Sequence, residues 1–176
     1  MISTLQSKSH HKAAPLRSTA SLLQHALVRE NDFKQINDNY GHPAGDTALA
    51  AIGARLTDWA GPRGIVGRLG GDEFAVLTRI EPRHQDLRLE HLTRLMPRPF
   101  RHDDGPLLLA VSLGATTPTA VKATDLRTLM RAADAAMYEG KHTGHIVHAR
   151  PDYAAAASVN GRPLGRLGTA LRGRAA

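Results

Sequence analysis

The chain has 176 residues, no cysteine and a formal net charge of +7. Its length suits one domain with a real core, and the absence of cysteine excludes disulfides, zinc–thiolate sites and thiol nucleophiles. No apolar run approaches the ~18 residues of a membrane span, and the N-terminus lacks the apolar segment of a secretory signal.

Residues 1 to about 20 are Ser, Lys, His and Ala with a Pro and without an apolar period, which predicts a disordered segment. Residues 22–28 are apolar but interrupted by Gln24 and His25, and read as a poor strand. Residues 33–37 suggest a short helix. Residues 39–45 form a stretch of breakers, read as a loop, after which Asp46 is placed to cap a helix. Leu49, Ile52, Leu56 and Trp59 then recur at three and four residues as one buried stripe. Gly61-Pro62-Arg63-Gly64 ends that helix.

Two apolar runs, 65–69 and 74–77, flank Gly70-Gly71-Asp72-Glu73 and predict a β-hairpin turning at the glycines. Glycine there permits positive φ and close approach of a bulky group. Asp72 and Glu73 would point to opposite faces of an extended chain. An acidic pair on such a turn suits metal, phosphate or base recognition, and equally a tight turn with solvated acids.

Residues 83–96 predict a helix with Leu87, Leu92, Leu95 and Met96 inward, stopped by Pro97 and Pro99. Asp103-Asp104-Gly105 reads as a turn between strands near 99–102 and 107–114, the second apolar enough to be central. Thr124 or Asp125 starts a helix through about Lys141, with Leu126, Leu129, Met130, Ala133 and Met137 inward. Residues 146–148 read as a last short strand. The alternation of strand and helix predicts an α/β sandwich with one sheet, over residues 21–150. From 151 to 176 the composition of Ala, Gly and Arg predicts a flexible basic tail.

The charge sits at the ends. Lys8, Lys12, Arg17 and Arg29 meet no acid within residues 1–29, and four arginines oppose only Asp152 beyond residue 150. These account for the whole excess, so residues 30–150 are neutral. A nucleic-acid domain carries its basic patch on the folded body, so no specific nucleic-acid partner is expected. The ten histidines have no metal-ligand spacing, and neither a P-loop nor a nucleophile elbow is present. The lack of cysteine suits a reducing, cytoplasmic location.

Four stretches then line up: Phe33-Lys34-Gln35-Ile36-Asn37-Asp38 with Tyr40-Gly41-His42-Pro43-Ala44-Gly45-Asp46; Gly70-Gly71-Asp72-Glu73-Phe74; Val111-Ser112-Leu113-Gly114; and 133–144, beginning Ala133-Asp134-Ala135-Ala136-Met137-Tyr138. In this order they resemble the GGDEF domain of diguanylate cyclases, over about 33–149. The resemblance implies a nucleotide-cyclase-like fold, a single mixed, mostly antiparallel sheet flanked by helices. It implies condensation of two GTP into cyclic di-GMP, with release of two pyrophosphates, in bacterial second-messenger signalling. Magnesium would be the cofactor, and the active species a homodimer in which each domain holds one GTP.

By the same resemblance Asn37 and Asp46 hydrogen-bond guanine, while Lys34 and Lys141 contact the phosphates. Asp72 binds magnesium and helps activate the attacking hydroxyl, with Glu73 as its catalytic neighbour. Gly70 and Gly71 let the nucleotide lie against the hairpin. An amide and a carboxylate match the mixed donors and acceptors of guanine; Asn37 and Asp46 also suit turn and helix caps, and the lysines a solvated surface.

The pattern departs from the family in four places. The family's Asp-x-Asp-x-Phe-Lys has Arg29 and Asn31 at its two Asp positions; Glu30 and Asp32 would face away from Arg29 on a strand. A unit charge pair ~4 Å apart is worth about 4 kcal/mol at an effective dielectric of about 20, and a divalent ion doubles that. Arg29 is therefore expected to weaken metal binding, although a guanidinium fits phosphate. This leaves the alternative of a degenerate module that binds GTP or a partner protein without turnover. The Arg-x-x-Asp product-inhibition stretch is replaced by Gly61-Pro62-Arg63-Gly64, and the Gly-Arg-Asn after the last helix by Gly144-His145-Ile146. Nothing in residues 1–28 matches the family's upstream signature, so a truncated or replaced N-terminus is expected.

Overall fold

The strand read as poor is the middle of the sheet. The computed structural model describes residues 21–28, 30–103, 105–141 and 146–156, with residues 21–28 and 30–32 described as backbone. β1 (Ser21–Val28) pairs antiparallel with β3 (Glu73–Arg79), from Ser21 opposite Arg79 to Leu27 opposite Glu73. On its other side it pairs antiparallel with β6 (Val111–Thr116), from Leu23 opposite Thr116 to Val28 opposite Val111. β2 (Ile65–Gly70) and β7 (Val147–His148) are the edges, giving the order β2-β3-β1-β6-β7, with only β6–β7 parallel. The sheet is thus mixed and mostly antiparallel. A separate ribbon of β4 (Phe100–His102) and β5 (Gly105–Leu107) adds a second, two-stranded sheet.

Helices cover this sheet. The stripe of α2 (His42–Ala60) is buried as its spacing requires, with Leu49, Ile52, Leu56 and Trp59 in the main core. The Trp59 indole donates to the Arg88 carbonyl at 2.9 Å, and the Arg88 guanidinium lies 4.9 Å from the ring and donates back to the Trp59 carbonyl. This reciprocal contact fixes α2 to α3 (Gln85–Leu95). Arg55 donates to the carbonyls of Met96 at 2.7 Å and Pro99 at 2.9 Å, tying α2 to the turn after α3. Burial, and then neighbouring Arg98, lower its pKa from the ordinary arginine value.

Several local expectations change. The loop read over 39–45 shrinks to Gly41, at φ 80°, between α1 (Glu30–Tyr40) and α2. Pro43 sits in the first turn of α2, where its missing N–H costs nothing, so Asp46 lies inside the helix and does not cap it. On α3 Leu89 and Leu92, followed by Met96, are buried and Leu95 packs half-buried against the core, whereas Leu87 is 62% exposed. Three- and four-residue steps from Leu89 define the packed face, and Leu87 falls off it. The apolar run 107–114 is divided: β5 ends at Leu107, Leu108 faces solvent, and β6 begins at Val111 in the other sheet.

α5 (Leu126–Gly140) starts where predicted. The Asp125 carboxylate accepts the Thr128 N–H at 2.9 Å as its N-cap. Leu126, in the first turn, is exposed, while Leu129, Met130, Ala133 and Met137 are buried. The Thr128 N–H first, and its hydroxyl second, lower the Asp125 pKa. A carboxylate lowered on folding adds stability that is complete above its unfolded value near ~3.9 and is lost as pH falls through its folded value. Asp125→Asn is therefore expected to flatten the acid limb of stability below about pH 4, read by acid unfolding followed by circular dichroism.

The short helix α4 (Pro118–Val121) ends on Lys122, whose φ of 53° is left-handed. Glycine tolerates that conformation better. Lys122→Gly should raise stability by up to about 1 kcal/mol, net of the extra chain entropy glycine carries unfolded; a lower melting temperature would contradict the strain.

The chain stays packed beyond residue 150, where a tail was expected. Pro151–Ala155 forms a 3-10 turn that buries Tyr153 against Leu129, Met130 and Ala136. A single aromatic among alanines anchors the segment, which composition alone does not reveal. Residues 1–20 and 157–176, read as disordered and flexible, lie outside the described residues. Among the described residues no helix is long and apolar enough to cross a membrane.

Candidate functional site

The β2–β3 hairpin closes on two residues. Gly70 opposes Glu73, so the turn is Gly71-Asp72, and Gly70 belongs to β2 rather than to the turn. Gly71 has φ 55°, the left-handed value that a tight hairpin turn demands at its first central position. The register slips between Arg68 and Gly70, leaving Leu69 as a bulge that twists the strand just before the tip. Arg68 Nε donates to the Gly71 carbonyl at 2.8 Å and holds the turn closed. Asp72 and Glu73 are both half-buried, and Oδ2 of Asp72 is shielded from solvent.

Pairing places this tip at one end of the sheet. Leu27 lies opposite Glu73 and Val28 opposite Val111, so the end of β1, the hairpin tip and the start of β6 are neighbours. The chain leaves β1 at Val28 and is helical from Glu30. Glu30 and Asp32 therefore occupy the first turn of α1, and the strand alternation expected to turn them away from position 29 does not apply. Carboxylates are also favoured there by the helix dipole.

α1 and α2 meet at Asn37. Gly45 is buried, and a Cβ built on it would collide with the side-chain amide of Asn37. The missing side chain is what gives that amide its slot. Asp46 follows directly and is exposed; Lys34, one turn before Asn37, is exposed as well. Thus Asn37 and Asp46 come to one helix–helix junction.

Lys141 arrives from the other side of the sheet. Gly114 of β6 approaches Ala133 and Met137 of α5 closely enough that an added Cβ would meet their backbone. β6 runs away from the Val28 end, and α5, joined to it through α4, returns along it. The helix continues from Met137 towards that end and finishes at Gly140, capped by Lys141, whose N–H donates to the carbonyls of Met137 at 2.9 Å and Tyr138 at 3.3 Å. Lys141 is half-buried.

The donors at the hairpin are carboxylate oxygens, the type a hard divalent cation takes. Among the described residues no three His, Asp or Glu side chains form a ready cluster. Magnesium ordinarily uses one or two carboxylates plus substrate phosphates and waters, so the shielded Asp72 oxygen with Glu73 fits it in kind.

Sequence reasoning missed two residues here. Gly45 was read as a breaker within a matched motif and given no packing role, although a small residue beside a polar one is the signal of close packing. Asp134 is a buried carboxylate on α5 to which no role was given. A cleft of about 390 Å³ between α1 and the β5–β6 connection, lined by Ile36, Tyr40, Leu107 and Leu108 among others, includes none of the expected site residues.

The whole-chain comparisons agree with this geometry. Residues 4–146 match the family model described as diguanylate cyclase, GGDEF domain. The chain is 42% identical to an uncharacterized 19.3 kDa protein in the repSA 5′ region of Streptomyces ambofaciens, over 65% of this chain and 61% of that protein. It is 36% identical to the probable diguanylate cyclase DgcF of Escherichia coli K12, over 69% of this chain and 41% of that one. These matches thus span less than two thirds of either relative's length. Among solved structures it is similar to the isolated GGDEF domain of PA1120 (TpbB or YfiN) from Pseudomonas aeruginosa, with 30% identity and a TM-score of 0.69, covering 78% of this chain and 81% of that one. The match from residue 4 includes the stretch in which no family signature was legible, and with the hairpin, the helix junction and the sheet order it establishes that the chain belongs to the GGDEF domain family.

Proposed function

We propose that this domain is a diguanylate cyclase that, as a homodimer, condenses two GTP into cyclic di-GMP and releases two pyrophosphates. The observation that carries the reading is the strand register, which brings the hairpin tip beside the end of β1, from which the chain passes into α1. Asn37 and Asp46 present an amide and a carboxylate to the guanine edge. Lys34 and Lys141 hold the phosphates and offset their charge. Gly70 and Gly71 let the nucleotide lie close to the hairpin. Asp72 takes the proton from the 3′-hydroxyl of one GTP as that oxygen bonds to the α-phosphorus of the GTP on the facing domain, and pyrophosphate leaves. Glu73 is the second carboxylate of that pair. A magnesium ion held by Asp72 would neutralise the triphosphate and the charge developing on it.

Arg29 favours a second reading, in which the domain binds GTP or a partner protein without turnover. The residue after Val28 is a guanidinium where the family has a carboxylate, which repels a divalent ion and attracts phosphate. The decisive assay is cyclic di-GMP formation from GTP and magnesium by the chain and by Arg29→Asp. Product from both supports the cyclase, with the carboxylates of α1's first turn completing the site. Product from the variant alone places the loss at position 29 and favours binding without turnover. Silence from both, with GTP affinity retained, also favours binding without turnover but places the loss elsewhere than at position 29.

A further inference from the structure

We infer that Arg150 and Tyr153, which lie beyond the stretch matched by the family model, are positioning residues that set Lys141 by clamping the last turn of α5. The inference rests on the nucleotide-site reading of Lys141. Glu139, two residues before that lysine, accepts from Arg150 Nη1 at Oε1 (3.3 Å) and from Arg150 Nη2 at Oε2 (3.1 Å). The Tyr153 hydroxyl donates to the same Oε2. Arg150 also lies 4.6 Å over the Tyr153 ring and 3.7 Å from Asp152.

An exposed ion pair alone contributes little, and the Arg150 and Glu139 side chains are 56% and 46% exposed. The tyrosine changes this balance. Its ring is buried with Val121, Leu129, Met130, Ala132, Ala136 and Ala149, so Glu139 is gripped by a hydroxyl whose own position is fixed by packing. A two-pronged arginine contact adds direction. Upstream of Arg150 the chain is tied to the sheet, with the Ala149 N–H donating to the Ala115 carbonyl at 2.6 Å. The end of α5 is thus bound through Glu139 to a segment anchored on β6. Helix ends fray unless held, and a cation that must meet a phosphate gains from being held in place.

The test uses the full chain. GTP affinity in the presence of magnesium is measured by calorimetry for the wild type, Tyr153→Phe, Lys141→Ala and the double variant, with amide exchange followed at residues 139–141. Tyr153→Phe keeps the buried ring and removes only the hydroxyl. It is expected to weaken GTP binding about threefold to tenfold, within the coupling range of contacting groups. It should have no further effect once Lys141 is alanine, and should speed exchange at 139–141. Equal weakening in both backgrounds, or unchanged exchange, overturns the clamp. If the wild type has no GTP affinity the nucleotide reading fails by itself, and exchange alone then judges the clamp: faster exchange upholds it, unchanged exchange overturns it.

Discussion

Gly114→Ala should abolish cooperative folding or lower stability by about 3 kcal/mol or more, at the upper end of overpacking costs. Gly114 is buried in β6, between β1 and β7. A Cβ there would overlap the Ala133 carbonyl oxygen and lie 2.5 Å from the Met137 nitrogen and 2.7 Å from its Cβ. Two of these three are backbone atoms of α5, which no rotamer change can move. The helix would have to lift from the sheet, exposing Met137 and Ala133 and carrying Lys141 away from the hairpin end. A loss of this size lowers the melting temperature by roughly 10 °C in a domain of this length. Gly67→Ala in β2, where an added Cβ meets nothing within 4 Å, is the control and should stay within about 0.5 kcal/mol of the parent. Equal melting temperatures for the two variants would show that α5 does not press on β6 at Gly114.

Gly45→Ala should separate folding from recognition. Its Cβ would occupy the place of the Asn37 amide, but that amide ends a side chain that can rotate away. The stability cost is therefore smaller, about 1–2 kcal/mol. On the nucleotide-site reading proposed above, the displaced amide would no longer meet guanine. GTP affinity should fall about tenfold or more, as expected when a buried hydrogen-bonding partner is lost. Asn37→Ala should do the same, and the two changes together should cost little more than either alone, because both remove one interaction. Competition between GTP and ATP is the direct readout: the parent should prefer GTP, and Gly45→Ala should lose the preference without losing the fold. Undiminished preference would remove Asn37 from base recognition.

Much of the fold was legible because it rests on periodic patterns. The stripe of α2 and the buried positions of α5 after its first turn follow from three- and four-residue spacing. The hairpin follows from two apolar runs around a Gly-Gly pair. The Asp125 cap was readable because a capping side chain acts within three residues. The α3 face was misread at one position, because Leu87 is as apolar as Leu89, and only the location of the core selects between them. Tyr153 escaped notice because one residue carries no period.

For the site, the sequence by itself determined the chemical inventory: the acids at the turn, the amide at Asn37, the lysines at 34 and 141, and the arginine at 29. It also determined family membership, through motifs in order. Tertiary structure alone decided which of the elements that carry them are neighbours. Pairing of β1 with both β3 and β6 brings residues 28, 73 and 111 to one end of the sheet, although they are distant in the chain. A helix beginning at Glu30 replaces strand alternation with helical rotation for the first acids after β1. The slot for Asn37 exists because a glycine on another helix leaves it open. Local patterns report interactions a few residues apart, whereas the site is made of contacts between elements, whose register and approach are set by packing.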